Sequence, residues 1–409
     1  MGRTVGSAPL PVSGRVSDTG RMESVLTRRE PVRSLGMYVH VPYCSSRCGY
    51  CDFNTYVPGE AGHGSRESWR QAAIDEVSLA ARELSPDRRV DTVFFGGGTP
   101  TLLPTSDLGA VLDEIDQQLG LASNAEITVE ANPETISGEK LQELLDCGIN
   151  RLSLGMQSAD QQVLNLLDRV HSPGTAVAAA QEALAAGVSL VSLDLIYGTP
   201  GEDLRSWRST LAAALDAGVG HISAYGLKVE PGTALHRRVR RGEVPRVDQD
   251  YSAAAYDATD EILSAAGLNW YEISNWSLAG HECRHNLNYW RGGDWWGIGP
   301  GAHSHLAGSR WWNHRSPQRW AAALQEGKSP RAGEEQLTED QLLTELVMLH
   351  IRLVQGLDPA DLGQNRNHIT AKAEQLRELG LLSVGEPLTL TLAGRRLADR
   401  VTVELLEHA

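Results

Sequence analysis

The sequence contains no uninterrupted run of about eighteen apolar residues, so no segment has the length and polarity of a membrane-spanning helix. It is also poor in cysteine, with five in 409 residues, three of them crowded between positions 44 and 51. Cysteines so placed do not make a disulfide framework, and they fit a reducing cytoplasm. Basic residues are the minority: 37 Lys and Arg face 52 Asp and Glu, for a net charge of −15. That balance argues against a nucleic-acid-binding surface. The first 33 residues lack an apolar core and are rich in Gly, Ser, Arg and Pro, which argues against a secretory signal and for a disordered extension.

What is present reads as a globular protein, 41% apolar and 22% charged, long enough for one large domain and a smaller one. Strand-like runs at 35–41, 92–95, 126–130, 151–156, 189–196 and 221–226 alternate with amphipathic stretches such as 68–83, 106–119 and 137–146. Strand-then-helix alternation predicts a parallel sheet with helices packed outside it. Six such units over roughly 200 residues fall short of a full eight-unit barrel. The expected fold class is therefore α/β, a partial, open (β/α)6-type barrel with its chemistry at the carboxyl ends of the strands.

Residues 270–320 differ in composition, holding eight of the ten tryptophans and five of the thirteen histidines. Beyond them the pattern becomes helical, then strand-like at 387–394, then helical again, the order of a small winged-helix-type domain. Its thirteen acidic and seven basic residues favour packing or partner contact over DNA binding. The expected division is a disordered extension over 1–33, a barrel with the Trp/His-rich segment over 34–333, and a helical winged-helix-like domain over 334–409.

Cys44, Cys48 and Cys51 stand at C-x3-C-x2-C spacing just after the first strand. Three thiolates from one loop can ligate three irons of a cubane and leave the fourth open to the amino and carboxylate groups of a ligand. A zinc site completed by His40 or His63 is the competing reading, although zinc ribbons pair C-x2-C halves and no second half is present. Three inert buried thiols are a third reading.

Gly96, Gly97 and Gly98 follow the second strand, where a plain tight turn needs only one glycine. Glu130 ends the third strand, Gln157 and Arg169 follow the fourth, and Asp194 lies inside an apolar strand, where a carboxylate must find a partner. Cys147 precedes Gly148 at a helix end and reads as a core thiol.

The segment YVHVPYCSSRCGYCDFNTY resembles the radical S-adenosylmethionine superfamily. Tyr38, His40 and Pro42 before the cysteines, with Tyr50 inside the loop, make it similar to the branch of oxygen-independent coproporphyrinogen III oxidase. The resemblance covers about residues 35–400. It implies a [4Fe–4S] cluster on Cys44, Cys48 and Cys51 and a cluster-bound S-adenosylmethionine contacted by Tyr38, Gly97 and Glu130. It further implies that Tyr50, Gly98, Thr99, Gln157, Arg169 and Asp194 line a second, adjacent molecule.

Within that branch the oxidase carries a further cysteine two residues after the third, where this chain has Phe53, and a longer arm before its first strand. Both departures resemble the HemW group of haem chaperones. That group is marked by an HNxxYW motif, found here from His285 to Trp290. An imidazole can ligate haem iron and aromatic rings can stack on a porphyrin, so the resemblance makes His285 the haem-binding residue. His281, Cys283, His303 and His305 compete for the same role, and the residues alone leave His285 open to a purely structural part.

Three functions follow. The first is a haem carrier with cluster and cofactor, delivering haem to acceptor haem proteins such as respiratory ones. The second is a radical enzyme decarboxylating coproporphyrinogen III to protoporphyrinogen IX. The third is a non-enzymatic module stabilised by its cluster. No catalytic residue is assigned.

Overall fold

The computed structural model describes residues 34–60 and 62–407, so the expected 1–33 extension lies outside them. Six strands run parallel in chain order: β1 (Leu35–Val41), β2 (Val90–Gly97), β3 (Leu121–Ala131), β4 (Arg151–Gln157), β5 (Leu190–Tyr197) and β6 (His221–Gly226). Helices alternate with them, among them Arg66–Glu83, Thr105–Gln118, Gly138–Asp146 and Leu204–Asp216. Their starts are written locally: Ser65, Ser137 and Asp203 each accept a hydrogen bond from a backbone amide in the first turn. The fold is the α/β partial barrel expected, with helices at the carboxyl-terminal end of the chain.

The two faces of this sheet differ in chemistry. Side chains alternate along a strand, so one set points to the helices and the other inward. Met37, Val39, Phe95, Val129, Leu152, Leu154, Leu193 and Ile222 belong to the set that packs with the helices in the main apolar core. The inward set is Tyr38 on β1, Phe94 on β2, Thr128 and Glu130 on β3, Arg151 and Ser153 on β4, Ser192 and Asp194 on β5, and His221 and Ser223 on β6. All of these line one cavity. The core lies between sheet and helices, and the barrel interior is left for a ligand.

Six further strands extend the sheet: β7 (Asn269–Glu272), β8 (Asn275–Ser277), β9 (Asp294–Ile298), β10 (His303–Leu306), β11 (Ser309–Asn313) and β12 (Arg331–Gln336). The order is β12-β11-β10-β9-β1-β2-β3-β4-β5-β6-β8-β7. Strand β9 returns to the far edge and pairs parallel with β1, while β8 adds antiparallel to β6. The Trp/His-rich segment is thus β-structure at both edges of the sheet. The glue is specific: buried Glu76 of the first helix accepts from the Gly299 amide, Asn313 Nδ2 and Trp320 Nε1 at 2.8, 2.7 and 2.8 Å.

Between β8 and β9 the helix Arg284–Trp290 crosses under the barrel, contacting β1 and β2. At the carboxyl-terminal end, Glu339–His350, Arg366–Glu378 and Ala398–Leu406 share an apolar cluster of their own with Val347, Ile351, Ile369, Leu376, Val401 and Leu405. A capping box at Thr338 and Gln341 starts the first of these helices. The strand-like stretch at 387–394 makes only isolated bridges, Leu357 to Leu388 and Leu382 to Leu390, before a short helix Leu392–Arg396. Its alternating Leu and Thr had no neighbouring strand long enough to form a ladder.

Candidate functional site

The cavity inside the barrel has a volume of about 770 Å³. Cys44, Cys48 and Cys51, all nine residues named for the cofactor and His285 line it together. One end is formed by loops at the carboxyl ends of the strands, the other by the helix Arg284–Trp290.

The cysteine loop is held by its backbone. The Cys44 amide donates to Tyr56 O at 3.1 Å, the Gly49 amide to Leu167 O at 3.1 Å, and Leu235 N to Gly49 O at 2.7 Å. The thiols make few contacts: Thr99 Oγ1 is 3.9 Å from Cys44 Sγ, and Arg169 Nη1 is 3.3 Å from Cys48 Sγ. Burial pushes the Cys51 thiol up to about 11, so its thiolate needs a cation. Among the described residues no three His, Cys, Asp or Glu converge as the ligands of one metal ion would. A cubane takes each thiolate on a different iron and does not need such convergence. Of the proposed zinc partners, His40 is committed elsewhere, its Nδ1 to Tyr38 OH at 3.0 Å and its Nε2 to Asn54 O at 2.9 Å. His63 Nδ1 lies 2.9 Å from Gly64 O. The donor set and its place on the cavity fit a cluster.

Each of the three glycines is there for a different neighbour. A Cβ on Gly97, whose φ is +109°, would lie 2.4 Å from the His40 ring, and one on Gly98 would lie 2.5 Å from Tyr43 O. A Cβ on Gly96 would meet Phe94 at 2.9 Å and Glu130 at 3.1 Å. The Gly98 and Thr99 amides then reach Val41 O and Tyr43 O at 2.7 and 2.8 Å, stitching this turn to the start of the cysteine loop.

Glu130 accepts from the Gly97 amide at 2.9 Å through one oxygen. Burial raises its carboxyl to about 7 despite that bond. Asp194 finds the partners its position demands, Ser153 Oγ at 2.8 Å and Ser223 Oγ at 2.7 Å. Arg169 bridges to Asn132 Oδ1 at 2.7 Å and Gly155 O at 3.1 Å besides Cys48. Gln157 ends β4 at a left-handed φ of 58°, where the β4–β5 register shifts. Tyr38 stacks on Phe94, while Tyr50 and Thr99 line the same wall.

His285 is buried, and both of its nitrogens are used. Nδ1 lies 2.7 Å from Thr92 Oγ1 and Nε2 2.9 Å from Tyr289 OH, while the ring stacks on Phe94 at 5.2 Å. Burial holds its pKa down at about 3, so the imidazole is neutral. Its helix start is clamped by Glu126, which accepts from Arg284 N at 3.1 Å, His285 N at 3.0 Å and Cys283 Sγ at 3.6 Å. Of the competitors, Cys283 also lines the cavity, whereas His303 and His305 sit on β10 at the sheet edge, one against Trp312 and the other on Gly293 O at 3.0 Å. His281 packs where a Cβ on Gly220 would stand 2.1 Å from its Nδ1. Cys147 Sγ lies 3.9 Å from Thr105 O, away from the cavity. Thr92, Glu126, Arg151 and His221 are site residues that sequence reasoning passed over, and the period of two from Phe94, Thr128, Ser153 and Ser223 points to them; Tyr289 lay in the HNxxYW motif without a role of its own.

A model of the Radical SAM superfamily matches residues 38–214. Over 377 residues the chain is 50% identical to "Heme chaperone HemW" of Mycobacterium tuberculosis, covering 92% of this chain and 96% of that one. It is 33% identical over 389 residues to "Radical S-adenosyl methionine domain-containing protein 1, mitochondrial" of Bos taurus, covering 91% and 87%. Among solved structures, coproporphyrinogen III oxidase (HemN) from Escherichia coli superposes with a TM-score of 0.79 over 94% of this chain and 92% of that one. At 22% identity that likeness is one of fold. Similarity along nearly the whole length of both partners, through barrel and carboxyl-terminal helices alike, places the chain in the HemW family of the radical S-adenosylmethionine superfamily.

Proposed function

We propose that the protein is a haem chaperone, binding haem and passing it to acceptor haem proteins, respiratory ones among them. The observation that carries this reading is the 50% identity, over 92% of the chain, to a protein named for that role. The cavity supports it, since one continuous space is lined by both the three-cysteine loop and the His285 helix. Phe53 supports it too: this exposed ring stands where the oxidase resemblance calls for a further cysteine.

In this reading Cys44, Cys48 and Cys51 hold a [4Fe–4S] cluster, which when bound supplies a chelation point for exchangeable S-adenosylmethionine. The glycine turn brings backbone amides against that ligand, and the second oxygen of Glu130 accepts from an amine or a ribose hydroxyl. Arg169 sets a positive charge beside Cys48, and Gln157 and Asp194 bound the space for an adjacent molecule. His285 supplies the haem ligand through Nε2 once Tyr289 turns away, which opens one hydrogen bond at a cost of about 1 kcal/mol. All five cysteines are unpaired, as a reducing cytoplasm would keep them. No helix of the described residues is long and apolar enough to cross a membrane.

The test is an anaerobic haem titration followed by absorbance, with and without reconstituted cluster, beside an assay of coproporphyrinogen III decarboxylation. Stoichiometric haem binding that weakens in His285→Ala, with no decarboxylation, is the expected result. Decarboxylation by protein that binds no haem would make this chain a radical enzyme instead.

A further inference from the structure

At the end of the cavity away from the cysteines, three buried polar atoms have no partner: Arg151 Nη2, His221 Nδ1 and Thr128 Oγ1. Their residues are 1%, 3% and 0% exposed, and all three line the cavity. Thr128 and Arg151 are direct register partners on β3 and β4. Leaving such groups unsatisfied is costly, and ordinary folding keeps them rare.

Their chemistry is one-sided. Arg151 uses Nη1 on His281 O at 3.0 Å and Glu282 O at 3.4 Å, which leaves the N–H groups of Nη2 free. For His221 the hydrogen-bond network assigns the tautomer. Tyr271 OH receives the Cys283 amide at 3.3 Å, so its own proton goes to His221 Nε2 at 2.7 Å. Burial keeps the imidazole neutral, and its single N–H is then the one at Nδ1. The set therefore holds a guanidinium edge, an imidazole N–H and a hydroxyl, with donors in excess.

The nearby acids do not fill this gap. Asp194 is capped by Ser153 and Ser223, and Glu126, 3.6 Å from Arg151, is spent on the helix start at Arg284 and His285. We propose that the Arg151–His221 end of the cavity is a carboxylate subsite that takes one propionate of the bound porphyrin, an inference that rests on the haem reading. A carboxylate offers the acceptors this donor set lacks, and a guanidinium suits it in shape and charge. The amino-acid end of the cofactor is directed to the opposite end, beside the cysteines and Gly97.

The test compares ferric haem with its dimethyl ester, whose propionates carry no charge, on reconstituted full-length protein. Wild type is expected to bind haem at least about tenfold more tightly than the ester, the size of a hydrogen-bonded charge pair. In Arg151→Gln that preference should vanish, with haem and ester binding alike. Because the readout is a ratio within one variant, a general loss of stability does not imitate it. Thr128→Val, which removes a single hydroxyl, should lower the preference by a smaller factor and covers the case in which Arg151→Gln does not fold. Equal binding of both porphyrins to wild type, or a preference kept intact in Arg151→Gln, overturns the subsite and leaves the haem reading standing. If wild type binds neither porphyrin, the haem reading falls, and this inference with it.

Discussion

The two ends of the cavity are built in opposite ways. At the carboxyl ends of the strands, the cysteine loop is held by main-chain bonds at Cys44, Gly49 and Thr99, and its thiols touch little besides Thr99 and Arg169. At the other end, the helix Arg284–Trp290 is held by side chains: Glu126 grips its first turn, and Thr92 and Tyr289 use both nitrogens of His285. Backbone-held loops can offer side chains to a ligand at no cost to the fold. Side-chain-held ones offer such a group only by giving up a bond, as His285 Nε2 must release Tyr289 OH to meet a ligand.

That contrast can be broken by substitution. The largest effect is expected at the cysteines. Serine at 44, 48 or 51 should abolish the visible absorption of the reconstituted cluster while shifting chemical denaturation of the cluster-free protein by less than about 1 kcal/mol. Persisting colour would remove the ligand assignment. Next is Glu126→Ala, which strips the helix start of three hydrogen bonds and leaves the Arg151 guanidinium buried without its anion. A loss of about 3–5 kcal/mol is expected in the same denaturation experiment. A loss under about 1 kcal/mol would mean that the helix is not clamped there.

The smallest effect is a pH dependence. His285 has its pKa lowered to about 3 by burial, against 6.5 for an ordinary imidazole. Below about 6.5 the unfolded chain takes up a proton that the folded one refuses, so this contribution is present above that pH and lost as pH falls towards 3. Comparison with His285→Gln isolates it from Glu130, whose raised pKa acts in the opposite sense. The stability difference between wild type and variant should shrink by about 1.4 kcal/mol per pH unit below about 6.5. Parallel curves from pH 7 to pH 5 would show that His285 is not buried as described.

Much of the barrel was legible beforehand. All six parallel strands fall where apolar runs bounded by glycine or polar residues indicated, β1 and β6 with the expected limits. The reason is local, since an apolar outward face repeating every second residue, followed by an amphipathic helix, has few other ways to fold. The six edge strands were not legible. They run only three to six residues, their indoles and imidazoles show no clean alternation, and β9 reaches β1 across more than 250 residues of chain. The site divides in the same way. Its upper residues cluster in short motifs beside strand ends, whereas Thr92, Glu126, Arg151 and His221 sit near strand starts in otherwise ordinary segments.

By itself the sequence determined the alternating strands and helices, the three-thiol loop and the family, because each is carried by neighbours along the chain. Only the tertiary structure decided what surrounds His285. Thr92 comes from β2, 193 residues away, and Glu126 from β3, and together with Tyr289 they turn a motif histidine on a helix into a buried, fully hydrogen-bonded one. It likewise decided that Thr128, Arg151 and His221 face one cavity with donors unspent, since orphaned polar groups exist only where packing has already excluded water.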